Sequence, residues 1–236
     1  CNVLGSTLTR ESDGIIYTHA GPEIGVASTK AYTAQLIALY LLAFSLAQVR
    51  RSVSAAKLNA YVKQLKTVPH LQQEILKRQG EIARLARRHA HFGSFLYLGR
   101  NINFPSALEG ALKLKEISYI PAEGYAAGEM KHGPIALIDE YRAVVCIATG
   151  SRIYEKMYSN IQEIHSRRGR IIAIASKGDA QMRSLTGEIV YLPAIEELFS
   201  PLVVALPLQL LAYHIAVKRG CDVDQPRNLA KSVTVE

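Results

Sequence analysis

The chain of 236 residues is 49% hydrophobic and 20% charged, so it can bury a substantial core as one large domain, or one domain with fragments. Its longest apolar run, residues 36–44, is about half of what a membrane span requires, and no signal-peptide pattern opens the chain. Three distant cysteines fit a reducing compartment. We therefore expect a cytoplasmic protein with no membrane partner. The formal net charge of +8 raises the question whether clustered basic residues bind nucleic acid.

The first 49 residues predict a strand and a long helix. The opening CNVLGS looks like the end of a buried strand that runs into a loop, so we expect a piece of a longer chain. A nucleophile made of the amino-terminal cysteine and its own amine is the weaker interpretation, because the apolar residues after it are typical of a strand interior. Residues 14–20 predict a strand, and residues 25–49 predict a helix with Ser28 or Thr29 as its N-cap.

Two basic helices are predicted over about residues 52–90. Residues 50–91 contain ten Lys or Arg and two Glu, and this span accounts for the whole excess of positive charge. Such a stripe can bind phosphate backbones. Here, however, apolar residues recur at helical spacing, which indicates amphipathic helices with solvated basic faces. These residues are Leu58, Tyr61, Leu65, Leu71, Ile75, Ile82 and Leu85. We therefore expect no nucleic-acid partner.

A regular alternation of strands and helices follows. The predicted strands are residues 95–99, 143–149, 170–176 and 189–193, and the predicted helices are residues 105–118, 153–167 and about 200–218. Continuous apolar strands separated by helices indicate a doubly wound α/β fold with a parallel sheet covered on both faces. Ligands of such sheets bind where strands end, near a topological switch point. Residues 100–105 and 149–152 follow two strand ends.

One predicted helix carries its charges in an unusual place. In ALEGALKLKEIS, residues 107–118, the side chains of Glu109, Lys113 and Glu116 share a stripe roughly 60° wide, and most of the remaining circumference is apolar. This is the reverse of a surface helix with one apolar stripe. The stripe is consistent with a structural ion-pair ladder or with two carboxylates and a cation held together for chemistry.

Three separated motifs carry a family resemblance. They are GPEIGVASTKAYTAQL, SALEGALKLKEISYIPAEGYAAGEMKHGPIALID and the final DVDQPRNLAKSVTVE. In this order, they resemble the carboxyl-terminal part of the glutamine:fructose-6-phosphate aminotransferase (glucosamine-6-phosphate synthase) family, over essentially the whole chain. In that family, a glutaminase domain releases ammonia, and two sugar isomerase (SIS) domains convert fructose 6-phosphate to glucosamine 6-phosphate.

The resemblance implies a domain organisation and partners. Residues 1–54 resemble the end of a first SIS domain, residues 55–220 a second SIS domain with a flavodoxin-like three-layer sandwich, and residues 221–236 a tail that closes over the sugar. It implies a homodimer with a shared active site and a glutaminase domain upstream in the complete chain. This piece alone is expected to be inactive. No cofactor is expected, and no metal, because the remaining histidines lack ligand spacing.

The resemblance also implies roles for individual residues. Glu116 resembles the base that moves a proton between sugar carbons 1 and 2, and Lys231 resembles the lysine that forms a Schiff base with the open-chain ketone. His132 resembles the histidine that opens the sugar ring in the partner subunit's site. The neighbours Lys113 and Glu109 are expected to tune the base in opposite directions. Sugar contacts are implied for Val26, Ser28 and Ala230. Without the resemblance, His132 is a turn residue and Lys231 a solvated tail lysine.

Two other functions stay open. One is a noncatalytic SIS module that senses sugar phosphates for a regulator, although it has no reason to keep Glu116, His132 and Lys231 together. A fused DNA-binding domain would distinguish it. The other is an aldose/ketose phosphate isomerase that takes no ammonia, which an upstream glutaminase domain would exclude.

Overall fold

The fold is built on a sheet of five parallel strands. The structure is a computed structural model that describes residues 1–231, and the last five residues of the predicted tail lie outside the described part. The strands are β1 (Phe95–Gly99), β2 (Ala122–Ala126), β3 (Ala143–Ala148), β4 (Arg170–Ser176) and β5 (Ile189–Leu192). Their order is β2-β1-β3-β4-β5, and every pair is parallel. The doubly wound α/β prediction is confirmed.

Seven α-helices within residues 1–231 surround or extend the sheet. They are α1 (Thr7–Glu11), α2 (Lys30–Val49), α3 (Ala55–Lys77), α4 (Gln79–His89), α5 (Phe104–Ser118), α6 (Tyr154–His165) and α7 (Ser200–Lys218). Side chains alternate between the two faces of each strand, so one apolar cluster forms on each face. Tyr97 and Ile172 pack with α4, α5 and α7, whereas Leu98 and Cys146 pack with α6. This is the predicted three-layer sandwich.

Most predicted elements are confirmed within a few residues. The bounds of β1, β4 and α7 are as predicted, but β2 was missed. Its sequence AEGYA is not an apolar run, and it forms a strand at the sheet edge because it pairs with β1. Gly124 allows α5 to lie against this strand, since a Cβ at Gly124 would be 2.8 Å from the Cα of Leu108.

The strand predictions near the amino terminus were wrong. Residues 14–20 form no strand, and Val3 and Leu4 are exposed beside a turn rather than inside a strand. The amino group of Cys1 donates to the Ile16 carbonyl, and the backbone N–H of Thr18 donates to the Cys1 carbonyl, both at 2.9 Å. A strand needs a continuous ladder with a neighbouring strand, and β-branched residues alone do not supply one.

The two basic helices are amphipathic, as predicted. Each buries one apolar face, with Leu65, Val68 and Ile75 buried on α3, and Ile82 and Leu85 buried on α4. Their arginines and lysines lie outside the core. The expected absence of a nucleic-acid partner stays a prediction.

Among residues 1–231, two segments are long and apolar enough to cross a membrane by length and composition alone. They are helix α2 and the segment Glu197–Lys218, which includes α7. Helix α7 is mostly buried against α4 and α5, as expected for a core helix. Helix α2 has no fully buried residue, but Tyr40 and Phe44 pack against the buried ring of Phe199. The expectation of no membrane partner stays a prediction.

Candidate functional site

The charged stripe of α5 forms one ion-pair cluster. The Nζ atom of Lys113 lies 2.6 Å from Glu116 Oε2 and 3.6 Å from Glu109 Oε1. The side chain of Lys113 is only 4% exposed, whereas that of Glu116 is 22% exposed. The structure therefore holds a buried cation between two carboxylates and leaves Glu116 the more accessible of the lysine's two closest contacts.

The rest of α5 is less buried than its sequence indicates. Leu114 and Ile117 are buried, but Leu108 and Leu112 are exposed. These two leucines line an open groove together with Gly124 and Tyr125 of β2. Because β2 is the edge strand, no further element covers this side of the helix among the residues described.

Burial dominates the electrostatics of Glu109. It raises the pKa of this carboxyl, Lys113 opposes the rise, and Glu116 adds to it, with a net raised pKa. The Oε1 atom of Glu109 is buried and has no hydrogen-bond partner in the described part of the chain. Burial, followed by the charge of Glu109, also raises the pKa of Tyr32 on α2 to about 12.

A carboxylate that the sequence analysis missed caps α2. Thr29 is the N-cap residue, but its side chain forms no capping hydrogen bond. Instead, Glu23 Oε1 accepts hydrogen bonds from the backbone N–H groups of Thr29 at 2.6 Å and Ala31 at 3.2 Å. The first N–H groups of a helix lack partners within it, and the helix dipole favours an anion at this end. Glu23 supplies both the acceptor and the charge.

Lys231 of the tail binds the same loop. Its Nζ donates to the backbone carbonyls of Glu23 at 2.9 Å and Gly25 at 2.6 Å, and it lies 3.5 Å from Glu23 Oε2. The adjacent Ala230 is exposed. Among residues 1–231, Lys231 forms no hydrogen bond or ion pair with the charged stripe of α5.

Backbone contacts fix the course of the tail. The N–H of Val26 donates to the carbonyl of Asp224 at 2.9 Å, and Asp222 Oδ1 accepts the N–H groups of Asp224 and Gln225 at 3.0 and 2.9 Å. Val26 was predicted to contact sugar, and here its N–H is directed at the tail. The predicted sugar contact of Ser28 stays a prediction.

One cavity lies between Lys113 of the α5 stripe and the loop that binds Lys231. Its volume is about 250 Å³, and it lies between α5, α7, the loop before α2 and the tail. Its lining includes Lys113 and Ile117 of α5, Glu23 and Gly25 of the loop, and Asp224 of the tail. Glu23 and Gly25, whose backbone carbonyls bind Lys231, therefore line the same cavity as the Lys113 cation of the α5 stripe.

His132 lies apart from that cavity's charged residues. It ends a short 3₁₀ helix, Ala127–His132, and its side chain is 76% exposed. Its Nε2 is 3.8 Å from Glu129 Oε2. In the part of the chain that the structure describes, no hydrogen bond or ion pair joins His132 to Glu116 or Lys231.

The predicted strand-end region contains a closed polar network. The side-chain amide of Asn103 donates to Thr149 Oγ1 and to Ser200 Oγ, both at 3.0 Å, and all three residues are buried. These groups satisfy one another where β1 and β3 end. Apart from His132, the residues matched to the family lie on α5, in the loop before α2 and in the tail.

The described residues contain no group of three or more His, Cys, Asp or Glu side chains that could hold a metal ion. The expected absence of a metal and of a cofactor stays a prediction, because it concerns the complete protein.

The family follows from the comparison with known proteins. A family model described as the SIS domain matches residues 1–45 and 90–219. This chain belongs to the SIS domain family. The predicted boundary near residue 54 lies between the two matched segments. The division of this SIS chain into residues 1–54, 55–220 and 221–236 stays a prediction.

Relatives of this SIS chain share one enzyme name. It is 53% identical over 235 residues to glutamine–fructose-6-phosphate aminotransferase (isomerizing) of Thermus thermophilus, and 55% identical over 236 residues to that of Chlorobaculum tepidum. Both alignments cover 100% of this chain, but only 39% and 38% of the relatives. The chain thus spans about two fifths of the curated relatives it matches. The resemblance inferred from its motifs is confirmed.

Solved structures agree with these relatives. The C-terminal domain of glucosamine-fructose-6-phosphate aminotransferase from Francisella tularensis superposes with a TM-score of 0.91 at 42% identity, covering 96% of this chain and 64% of that chain. A glucosamine-6-phosphate deaminase from Thermotoga maritima gives a TM-score of 0.72 at 24% identity, over 98% of this chain and 64% of that chain. The second likeness shows the fold alone.

Proposed function

We propose that this chain is the isomerase part of an enzyme that makes glucosamine 6-phosphate from fructose 6-phosphate and glutamine-derived ammonia. The observation that carries the proposal is the shared cavity, which brings Lys113 of the α5 stripe together with Glu23 and Gly25, the holders of Lys231. The names of relatives more than 50% identical support the substrates.

Lys231 is the proposed nucleophile. Its neutral amine bonds to carbon 2 of the open-chain ketone, the carbon–oxygen bond breaks, and the oxygen leaves as water, which gives an imine. Protonated, the imine withdraws electrons from carbon 1 and makes a hydrogen there more acidic. Ammonia then replaces the lysine nitrogen at carbon 2, which places nitrogen on the carbon that bears it in the product.

Glu116 is the proposed base for the proton transfer from carbon 1 to carbon 2. A carboxylate in this role has to be oriented and also accessible to the substrate. Lys113 orients Glu116 through the 2.6 Å contact, and Glu116 keeps part of its side chain exposed. Glu109, with its raised pKa, is proposed as a neighbour that modulates this pair rather than as the base. Val26, Ser28 and Ala230 are proposed sugar contacts.

His132 is the proposed ring-opening residue of a site shared between two copies. Its exposure and its separation from the α5 stripe support a role outside its own subunit. A two-fold homodimer is the commonest homo-oligomer and would place two such histidines symmetrically. We also propose that the complete protein has a glutaminase domain upstream and is cytoplasmic. The three free cysteines are consistent with that location.

The complete protein tests this function. Incubated with fructose 6-phosphate and glutamine labelled with ¹⁵N in its amide, it should produce ¹⁵N-glucosamine 6-phosphate, detected by mass spectrometry. A Glu116→Gln variant serves as the inactive control. Interconversion of fructose and glucose 6-phosphates without nitrogen transfer would indicate the simple isomerase, and sugar-phosphate binding without turnover would indicate the sensing module.

A further inference from the structure

We propose that Glu23 is the positioning residue for Lys231, a carboxylate fixed at the start of α2 that keeps the lysine nitrogen beside the cavity as an ammonium and then as a protonated imine. This inference rests on the proposed role of Lys231, and it adds a residue outside the sites that the family resemblance implied.

The carboxylate of Glu23 is held firmly. Two backbone N–H groups, those of Thr29 and Ala31, donate to Oε1, and the side chain is only 9% exposed. Thr29 is the N-cap residue of α2, a helix of 20 residues, and Ala31 lies in its first turn. Rotation of the carboxylate would break both of these hydrogen bonds. The position of Oε2 is therefore defined by the helix.

The two oxygens of Glu23 have different partners. Oε1 accepts the hydrogen bonds at the start of α2, and Oε2 lies 3.5 Å from Lys231 Nζ. An ammonium has three N–H donors, and the carbonyls of Glu23 and Gly25 accept two hydrogen bonds from Lys231. Carbonyls carry no net charge. Among the contacts of Lys231 with this loop, the Glu23 carboxylate supplies the full negative charge.

Glu23 is ionised at neutral pH. Burial acts to raise its pKa, but the hydrogen bonds from Thr29 and Ala31, together with Lys231, outweigh burial and leave the pKa below its ordinary value. A fixed anion is thus present before any substrate binds.

The chemistry of condensation makes this anion more important than the carbonyls. The ammonium first loses a proton to solvent, to which its side chain is 46% exposed. As Nζ bonds to carbon 2, the departing oxygen takes one proton from Nζ and one from solvent and leaves as water. The protonated imine is again positively charged but has one N–H, so it cannot keep both carbonyl hydrogen bonds. The attraction to Glu23 needs no hydrogen bond and persists.

The test uses the complete enzyme with fructose 6-phosphate and borohydride, which reduces the imine and labels the lysine. Glu23→Gln removes the charge but keeps an oxygen that can accept the N–H groups of Thr29 and Ala31. We expect labelling of Lys231 and kcat to fall about tenfold or more, with KM changed less than about threefold, because the lost interaction acts mainly on the covalent intermediate. Thermal stability should change little.

Two further variants control this experiment. Glu155→Gln removes an exposed carboxylate from the first turn of α6 and should behave as wild type. Glu23→Asp keeps the charge but shortens the side chain, so it weakens the cap more than Glu23→Gln does. It should nevertheless be labelled more than Glu23→Gln, even where both variants lose stability.

The outcomes separate the inference from the function on which it rests. Absence of label at Lys231 in the wild-type enzyme overturns the Schiff-base role itself. Wild-type labelling together with equal labelling and equal kcat in Glu23→Gln overturns the role of Glu23 and leaves the proposed function standing. Equal labelling of the Asp and Gln variants shows that the charge is not what positions Lys231.

Discussion

Tyr119 and Arg227 join the end of α5 to the tail that carries Lys231. The phenol oxygen of Tyr119 accepts the backbone N–H of Arg227 at 2.7 Å, and the guanidinium of Arg227 lies 4.2 Å from the centre of the Tyr119 ring. Tyr119 is also the left-handed C-cap of α5, with φ of 61°. The helix that bears the predicted base therefore also anchors the segment that bears the predicted nucleophile.

Replacement of Tyr119 by Phe should loosen the tail without unfolding the protein. It removes the hydrogen-bond acceptor but keeps the ring below Arg227. Loss of a hydrogen bond of about 1 kcal/mol corresponds to about a fivefold shift in a local equilibrium. We expect proteolysis within residues 222–231 to accelerate and KM for fructose 6-phosphate to rise, each about fivefold, in the complete enzyme. Tyr158→Phe, which removes a hydroxyl bonded to Ser184 at 3.0 Å, is the matched control and should change neither.

Glu109 should make stability depend on pH. Its pKa is raised in the folded state, so the native protein binds this proton more tightly than the unfolded chain does. Folding free energy contributed by this group is therefore present below the unfolded pKa and is lost as pH rises toward the folded pKa. Glu109→Gln removes that loss.

The free energy of unfolding, measured by urea denaturation from pH 4 to pH 7, checks this sign. The difference between Glu109→Gln and wild type should move in favour of the variant as pH rises. Lys113 keeps Glu116 at 2.6 Å in the variant, so its charge stays paired. A difference that moves in favour of wild type over the same range would contradict a raised pKa for Glu109.

Glu116→Gln should separate binding from proton transfer. Glutamine has the size of glutamate but cannot act as a base, and loss of a general base costs about 10²- to 10⁴-fold in rate. We expect fructose 6-phosphate to bind normally by calorimetry, while exchange of the carbon 1 hydrogen with deuterated solvent falls by that factor. Glu123→Gln, an exposed carboxylate of β2, is the control. Near-normal exchange in Glu116→Gln would mean that another group is the base.

Local sequence patterns were sufficient to predict the elements whose formation is determined by the residues within them. Strands β1 and β4 are buried apolar runs, and the α5 stripe follows from the spacing of Glu109, Lys113 and Glu116. The strand β2 was missed because its formation depends on pairing with β1 and on the close approach of α5 at Gly124. Residues 14–20 were mistaken for a strand because β propensity does not reveal whether a partner strand is present.

The role of Glu23 needed the three-dimensional structure. Its partner Lys231 is 208 residues away along the chain, and its helix-capping contact reaches Ala31, eight residues on. A capping residue is normally sought directly before a helix, which pointed to Ser28 or Thr29. The sequence offered one signal, a single carboxylate within the motif GPEIG, but no spacing rule connects it to the tail.

The shared site can be tested through the exposed position of His132. If His132 serves the partner's cavity, a dimer formed from one His132→Ala chain and one Glu116→Gln chain contains one cavity with both an intact Glu116 and an intact histidine from the other chain. Each homodimer should be inactive in glucosamine 6-phosphate formation, and subunit exchange should restore up to about half of the wild-type rate per verified heterodimer. Wild-type chains taken through the same exchange are the control and should stay active. Heterodimers without activity would mean that His132 and Glu116 act in the active site of the same subunit.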